Sequence, residues 1–85
     1  MPIMFCYLDP FSMKQSVIKI ENDKSEALFS ADLNSVAEFM AHTYATNQYS
    51  RIVLKGSLAD LVSENIRNYC LNVYNLSNIE IEVLK

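Results

Sequence analysis

The sequence predicts an α/β domain: one mixed sheet of four or five strands with two helices. Three observations carry this. An apolar run from Ile3 to Leu8 stops abruptly at Asp9-Pro10-Phe11-Ser12. Two later segments repeat apolar residues every three or four positions, and a strand-like run follows each of them. The last of those runs, Ile79-Glu80-Ile81-Glu82-Val83, alternates strictly. Strands interleaved with helices are the pattern of an α/β layer structure.

Ile3-Met4-Phe5-Cys6-Tyr7-Leu8 is apolar without alternation, as expected of a central strand covered on both faces. Pro10 lacks a ladder donor and Asp9 favours turns, so the strand ends there. Ser16 to Glu21 alternates, with Ile18 and Ile20 on one face and Val17 and Lys19 on the other. Asn22-Asp23-Lys24-Ser25 is a polar turn, and Glu26-Ala27-Leu28-Phe29-Ser30 completes a three-strand meander.

A helix follows, with Asp32 as N-cap or Ser35-Val36-Ala37-Glu38 as a capping box. Its apolar stripe is Leu33, Val36, Ala37, Met40 and Tyr44, and Thr46-Asn47-Gln48 ends it. Arg51-Ile52-Val53-Leu54-Lys55 is a second buried strand, with Val53 expected between helices. Gly56 is the only glycine of the chain, and Ser57 is the natural N-cap of the next helix. That helix runs to about Tyr74 on a stripe of Leu58, Leu61, Val62, Ile66, Tyr69, Cys70 and Val73. The resulting order is β-β-(β)-α-β-α-β. Right-handed crossovers make the strands around each helix parallel, and the all-apolar first strand belongs in the middle, giving sheet order 3-2-1-4-5. Glu80 and Glu82 suit an edge that must not pair with other chains.

Composition narrows the function classes. The 85 residues make one domain, and a hydrophobic share of 51% supports a real core at a size where cores are marginal. A net charge of −3 with scattered basic residues argues against a nucleic-acid or anionic-membrane surface, and neither partner is expected. Cys6 and Cys70 sit in apolar patterns, where two buried reduced thiols are favoured over a lone disulfide. No signal-peptide pattern or membrane-length apolar stretch is read, so a cytoplasmic setting is expected, and Asn75-Leu76-Ser77 is taken as a chance sequon.

Met4-Phe5-Cys6-Tyr7-Leu8-Asp9-Pro10-Phe11-Ser12 resembles the first strand of Holliday-junction resolvases and actin-like ATPases, in which an apolar strand ends in Asp and a turn. Arg51 to Ser57 resembles an actin-like strand that ends in glycine before a helix, and the element order is that of the ribonuclease H-like topology. The resemblance implies a fold, and for its nucleases a cluster of carboxylates around magnesium. Here only Asp9 stands at a matching position, while Lys55-Gly56-Ser57 occupies the place where a nuclease would carry an acid. Pro10 and Phe11 replace the small residues that an actin-like phosphate loop needs.

Two groups of candidate residues remain. In a 3-2-1-4-5 sheet Asp9 and Lys55-Gly56-Ser57 flank the topological switch point, where an anion would bind. The ordinary readings are a turn-forming Asp and a plain strand-to-helix junction. Phe11, Met13, Phe39 and Tyr49 have no place in a core stripe, so they are candidates for a protein interface. His42, the sole histidine, is read as a solvated partner of Glu38 on the polar side of its helix. The expectation is a non-enzymatic interaction module without cofactor or metal, self-associating or binding a protein partner. Its richness in Asn, Ile and Tyr resembles accessory proteins of bacteriophages with AT-rich genomes. The alternatives are a metal-dependent nuclease or phosphotransfer remnant using Asp9, and a small-anion binder at Gly56-Ser57.

Overall fold

The computed structural model describes residues 1–85. Five strands and two helices follow one another as β1 (Ile3–Tyr7), β2 (Gln15–Glu21), β3 (Lys24–Ala31), α1 (Leu33–Thr46), β4 (Arg51–Lys55), α2 (Ala59–Tyr74) and β5 (Ile81–Leu84). They form a single sheet in the order β3-β2-β1-β4-β5. The β1–β2 and β2–β3 pairs are antiparallel, whereas β1–β4 and β4–β5 are parallel. Sheet order, strand directions and helix count are those expected from the sequence.

Local chemistry accounts for the boundaries. Asn22 and Asp23 both adopt left-handed backbone (φ 54° and 62°), the conformation that a two-residue hairpin needs and that these residue types tolerate. A bulge between Val17 and Ile18 pairs them with Phe29 and Ala27, leaving Leu28 as the extra residue on β3. Asp32 caps α1, its Oδ1 accepting the Ser35 N–H at 2.9 Å. At the far end the Asn47 N–H donates to Thr43 O (3.0 Å). Left-handed Asn75 (φ 53°) stops α2, and the Leu76 N–H returns to Cys70 O (3.0 Å).

Helix α2 differs from the expectation in its start and in its buried stripe. Ser57 does not cap α2: Leu58 holds the N-cap position without a side-chain bond, and the helix begins at Ala59. The buried stripe of α2 is Ala59, Val62, Ile66 and Cys70, while Leu61 and Val73 are exposed. The helix lies against α1, β4 and β5, and this narrow seat buries one file of side chains, not two.

Both helices lie on the same face of the sheet. Met4, Cys6, Leu8, Val17, Ile52 and Leu54 join one core with Val36, Met40, Val62, Ile66 and Cys70. Topology explains this. Strands β3, β4 and β5 are mutually parallel, and the connections β3–α1–β4 and β4–α2–β5 advance in the same direction across the sheet. Two right-handed crossovers moving the same way must place their helices on one side. The smallest dimension, 21 Å, is that of a sheet plus a single helix layer.

The central strand is therefore covered on one face only, contrary to the expectation of cover on both. Val53 is buried, as expected, at 6% exposure, but it points away from the helices. Its register neighbours Phe5 and Glu82 shield it instead. No helix of the molecule is long and apolar enough to cross a membrane.

Candidate functional site

The C-terminal ends of β1 and β4 meet as the sheet order requires. The Leu8 N–H donates to Lys55 O (2.8 Å), and the Gly56 N–H donates to Leu84 O (3.0 Å). Gly56 has φ +116°, and a Cβ built there would lie 2.5 Å from Leu8 O. Only glycine fits this junction. Its role is thus the close approach of two backbones, with its amide committed to β5.

Asp9 forms a local turn. Its Oδ1 accepts the Phe11 N–H (2.9 Å), as in an Asx turn. A residue that the sequence reading passed over, Gln15, organises the rest of this loop. The Gln15 side chain is 4% exposed; Oε1 accepts the Asp9 N–H (2.8 Å), and Nε2 donates to Asp9 O (2.8 Å) and Ser12 O (3.2 Å). One buried amide thereby satisfies three backbone groups of the β1–β2 connection. Its signal in the sequence is position: Gln15 has the same parity as inward-facing Val17 and lies at the start of the strand.

The four switch-point candidates do not share a cavity. Asp9 borders a shallow groove with Phe5, Tyr7, Lys14 and Ile18, on the sheet face opposite the helices. Lys55 and Ser57 are exposed and Gly56 half-buried, none of them on that groove. The Lys55 ammonium donates to Lys85 O (3.5 Å). No three His, Cys, Asp or Glu side chains come together in a way that could hold a metal ion.

The face away from the helices carries the more distinctive pattern. Strand register places Glu82, Val53, Phe5, Ile18 and Ala27 in one row across it. Arg51, Ile3, Ile20 and Ser25 form the row on one side of this, and Leu84, Lys55, Tyr7, Ser16 and Ser30 the row on the other. Nothing in the chain covers these residues. Tyr7 is 53% exposed, while Ile3, Phe5, Ile18 and Ile20 are half-buried only by one another and their neighbours. Beyond Tyr7, the hairpin tip presents Phe11 at 95% and Met13 at 92% exposure. Together they make a contiguous apolar strip down the middle of this face.

Phe39 and Tyr49 belong elsewhere. Phe39 stacks on Phe29 with ring centroids 4.5 Å apart, and Tyr49 packs half-buried against the core. His42 bonds the Tyr74 hydroxyl through Nδ1 and so joins α1 to α2, replacing the expected Glu38 partner. Glu38 instead lies near Tyr69, whose phenol is shifted up, first by desolvation and then by the Glu38 charge. The two thiols are unpaired and buried, and burial pushes Cys6 up to about 11. Cys70 is raised by the same cause, and its Sγ–H points to Ala41 O (3.8 Å).

Comparison with protein-family models, with curated proteins and with solved structures gave no match to this chain.

Proposed function

We propose that this protein is a small non-enzymatic interaction module that self-associates or binds a protein partner through its uncovered sheet face and the adjoining hairpin tip. The observation that carries the reading is the apolar row Val53–Phe5–Ile18, flanked by Ile3, Ile20 and Tyr7, on a sheet with no second layer. Antiparallel sheets often leave one face to water, but such faces are polar. This one is not. Phe11 and Met13 extend the same apolar character past the end of β1.

The alternatives find less support. At Gly56-Ser57 an anion would have to compete with Leu84 O for the Gly56 amide. At Asp9 a metal would compete with the Phe11 N–H for the carboxylate. The ribonuclease H-like relationship is supported by the strand order and by the two short stretches named above, and it speaks to fold, not activity. A cytoplasmic setting is supported by two buried, unpaired cysteines. Composition alone supports a bacteriophage accessory role.

The test is site-specific photo-crosslinking in the producing cell, with a benzophenone side chain at Tyr7 or at Phe11 and, as control, at Glu64 on the exposed side of α2. Discrete adducts from Tyr7 and Phe11 that are absent from Glu64 are expected. Equal or absent labelling at all three positions overturns the reading.

A further inference from the structure

We propose that the occupant of the uncovered face is a second copy of this chain, docked sheet to sheet about a two-fold axis that runs parallel to β1. The inference rests on the reading of that face as the contact surface and adds the partner and its orientation.

Side-chain size is graded across the face. The β3 end carries only Ser25, Ala27 and Ser30, whereas β4 and β5 carry Arg51, Lys55, Glu82 and Leu84. The large apolar groups of β1 lie between them. Packed sheets stand about 10 Å apart with strands nearly aligned, so away from β1, which meets its own copy under either face-to-face two-fold, long side chains need short ones opposite. A two-fold axis along β1 exchanges left for right: β5 meets the partner's β3, β4 meets the partner's β2, and β1 meets itself. Glu82 then stands over Ala27, Val53 over Ile18, and Arg51 over Ile20, each contact occurring twice as a two-fold interface requires.

The other face-to-face arrangement has its axis across the strands. It would set β5 on β5 and β3 on β3. Long side chains would meet long ones, a gap would open over Ser25, Ala27 and Ser30, and with the axis over the Phe5 row Glu82 would oppose the partner's Glu82. Charge favours the first arrangement as well. Arg51 Nε already holds Glu82 Oε1 at 3.1 Å, so this pair docks as a neutral unit over small and apolar side chains.

The contact area is modest. Five strands about 4.8 Å apart and five residues of about 3.3 Å rise give a footprint on the order of 400 Å², roughly half that of a standard interface per partner. An axis along β1 brings both hairpin tips to the same end, where Phe11 and Met13 add to that area. A dimer in the micromolar range is the expected strength.

The axis places Tyr7 against the Tyr7 of the other copy, which gives a charge-swap test. Light scattering between about 10 and 200 µM should show the wild type passing from monomer to dimer. Tyr7→Glu and Tyr7→Lys should each weaken association at least tenfold while leaving the circular-dichroism spectrum unchanged, since Tyr7 is more than half exposed. An equimolar mixture of the two variants should dimerise again. A wild type that stays monomeric at 200 µM overturns the second copy as partner. The interaction reading then stands or falls separately, on the adducts from Tyr7. A wild-type dimer with no rescue in the mixture overturns the proposed axis.

Discussion

Replacing Gly56 by alanine tests whether this glycine serves the junction of β1, β4 and β5 or an open phosphate site. An alanine Cβ would stand 2.5 Å from Leu8 O, a backbone atom held in the sheet, and the residue would keep φ near +116°. Non-glycine backbone in such a region costs about 1–3 kcal/mol. Relieving the clash by moving either strand end stretches the Leu8–Lys55 and Gly56–Leu84 hydrogen bonds (2.8 and 3.0 Å), each with a net worth of about 0.5–1.5 kcal/mol. The combined loss is about 2–6 kcal/mol. An 85-residue domain has roughly 4–13 kcal/mol in all. Urea unfolding followed by circular dichroism should therefore show Gly56→Ala with a much lower midpoint, and thermal melting should fall by at least about 10 °C. Ser57→Ala, one residue on, should change stability by less than about 0.5 kcal/mol, because Ser57 caps nothing. A Gly56→Ala protein as stable as the wild type would refute the close-approach argument and free the glycine for another role.

Further outcomes follow from the same structure. Asp9→Asn keeps an acceptor for the Phe11 N–H and should shift unfolding by no more than about 1 kcal/mol; magnesium-dependent nucleic-acid cleavage by the wild type, lost in this variant, would contradict the non-enzymatic reading. Gln15→Ala strands the amide and carbonyl of Asp9 and the carbonyl of Ser12, at a cost of about 1–3 kcal/mol, and hydrogen exchange should accelerate across the β1–β2 connection. Val53→Ala removes two methylene equivalents from a buried site, worth about 1.5–2 kcal/mol by urea titration. Asp32 gives a pH signature. The backbone hydrogen bond from Ser35 lowers its folded pKa below the ordinary value, so its stabilisation is present above about pH 4 and is lost as pH falls through the folded value. Asp32→Asn keeps the acceptor and should flatten that acid-side decline in stability measured from pH 5 downward.

Sheet order, strand directions and most element ends were legible because several independent signals agreed on each. The position of β1 followed from its apolar run, the start of α1 from Asp32, and the end of β1 from Asp9-Pro10. The exposed tip, Phe11 and Met13, was legible because neither residue fits a helical or alternating pattern. Less legible were features decided by one side chain finding a distant partner. Phe39 is absorbed by Phe29 across the gap between β3 and α1, and His42 by Tyr74 across the two helices, contacts that no spacing rule encodes. Ser57 misled because a serine after a glycine is the usual start of a helix. Here Gly56 O accepts the Ala59 N–H, and that tight turn delays the first helical residue past the serine. Gln15 escaped notice because polar residues at strand starts are ordinarily solvated, and only its inward parity set it apart.

The uncovered face is the point at which pattern and topology have to be read together. An apolar run without alternation says that both faces of β1 are dry, and the ordinary inference supplies a helix for each. The strand order removes that choice. With β4 and β5 added successively on the same side of β1, both crossovers travel the same way and their right-handedness sends α1 and α2 to one face. The chain has no third helix for the other. Ile3, Phe5, Tyr7, Ile18 and Ile20 therefore cannot be explained by this chain's own core, although alternation in β2 could have placed polar residues at positions 18 and 20 without harm to the helix-facing Val17. The proposed contact surface would account for apolar residues kept on a face that the topology leaves bare.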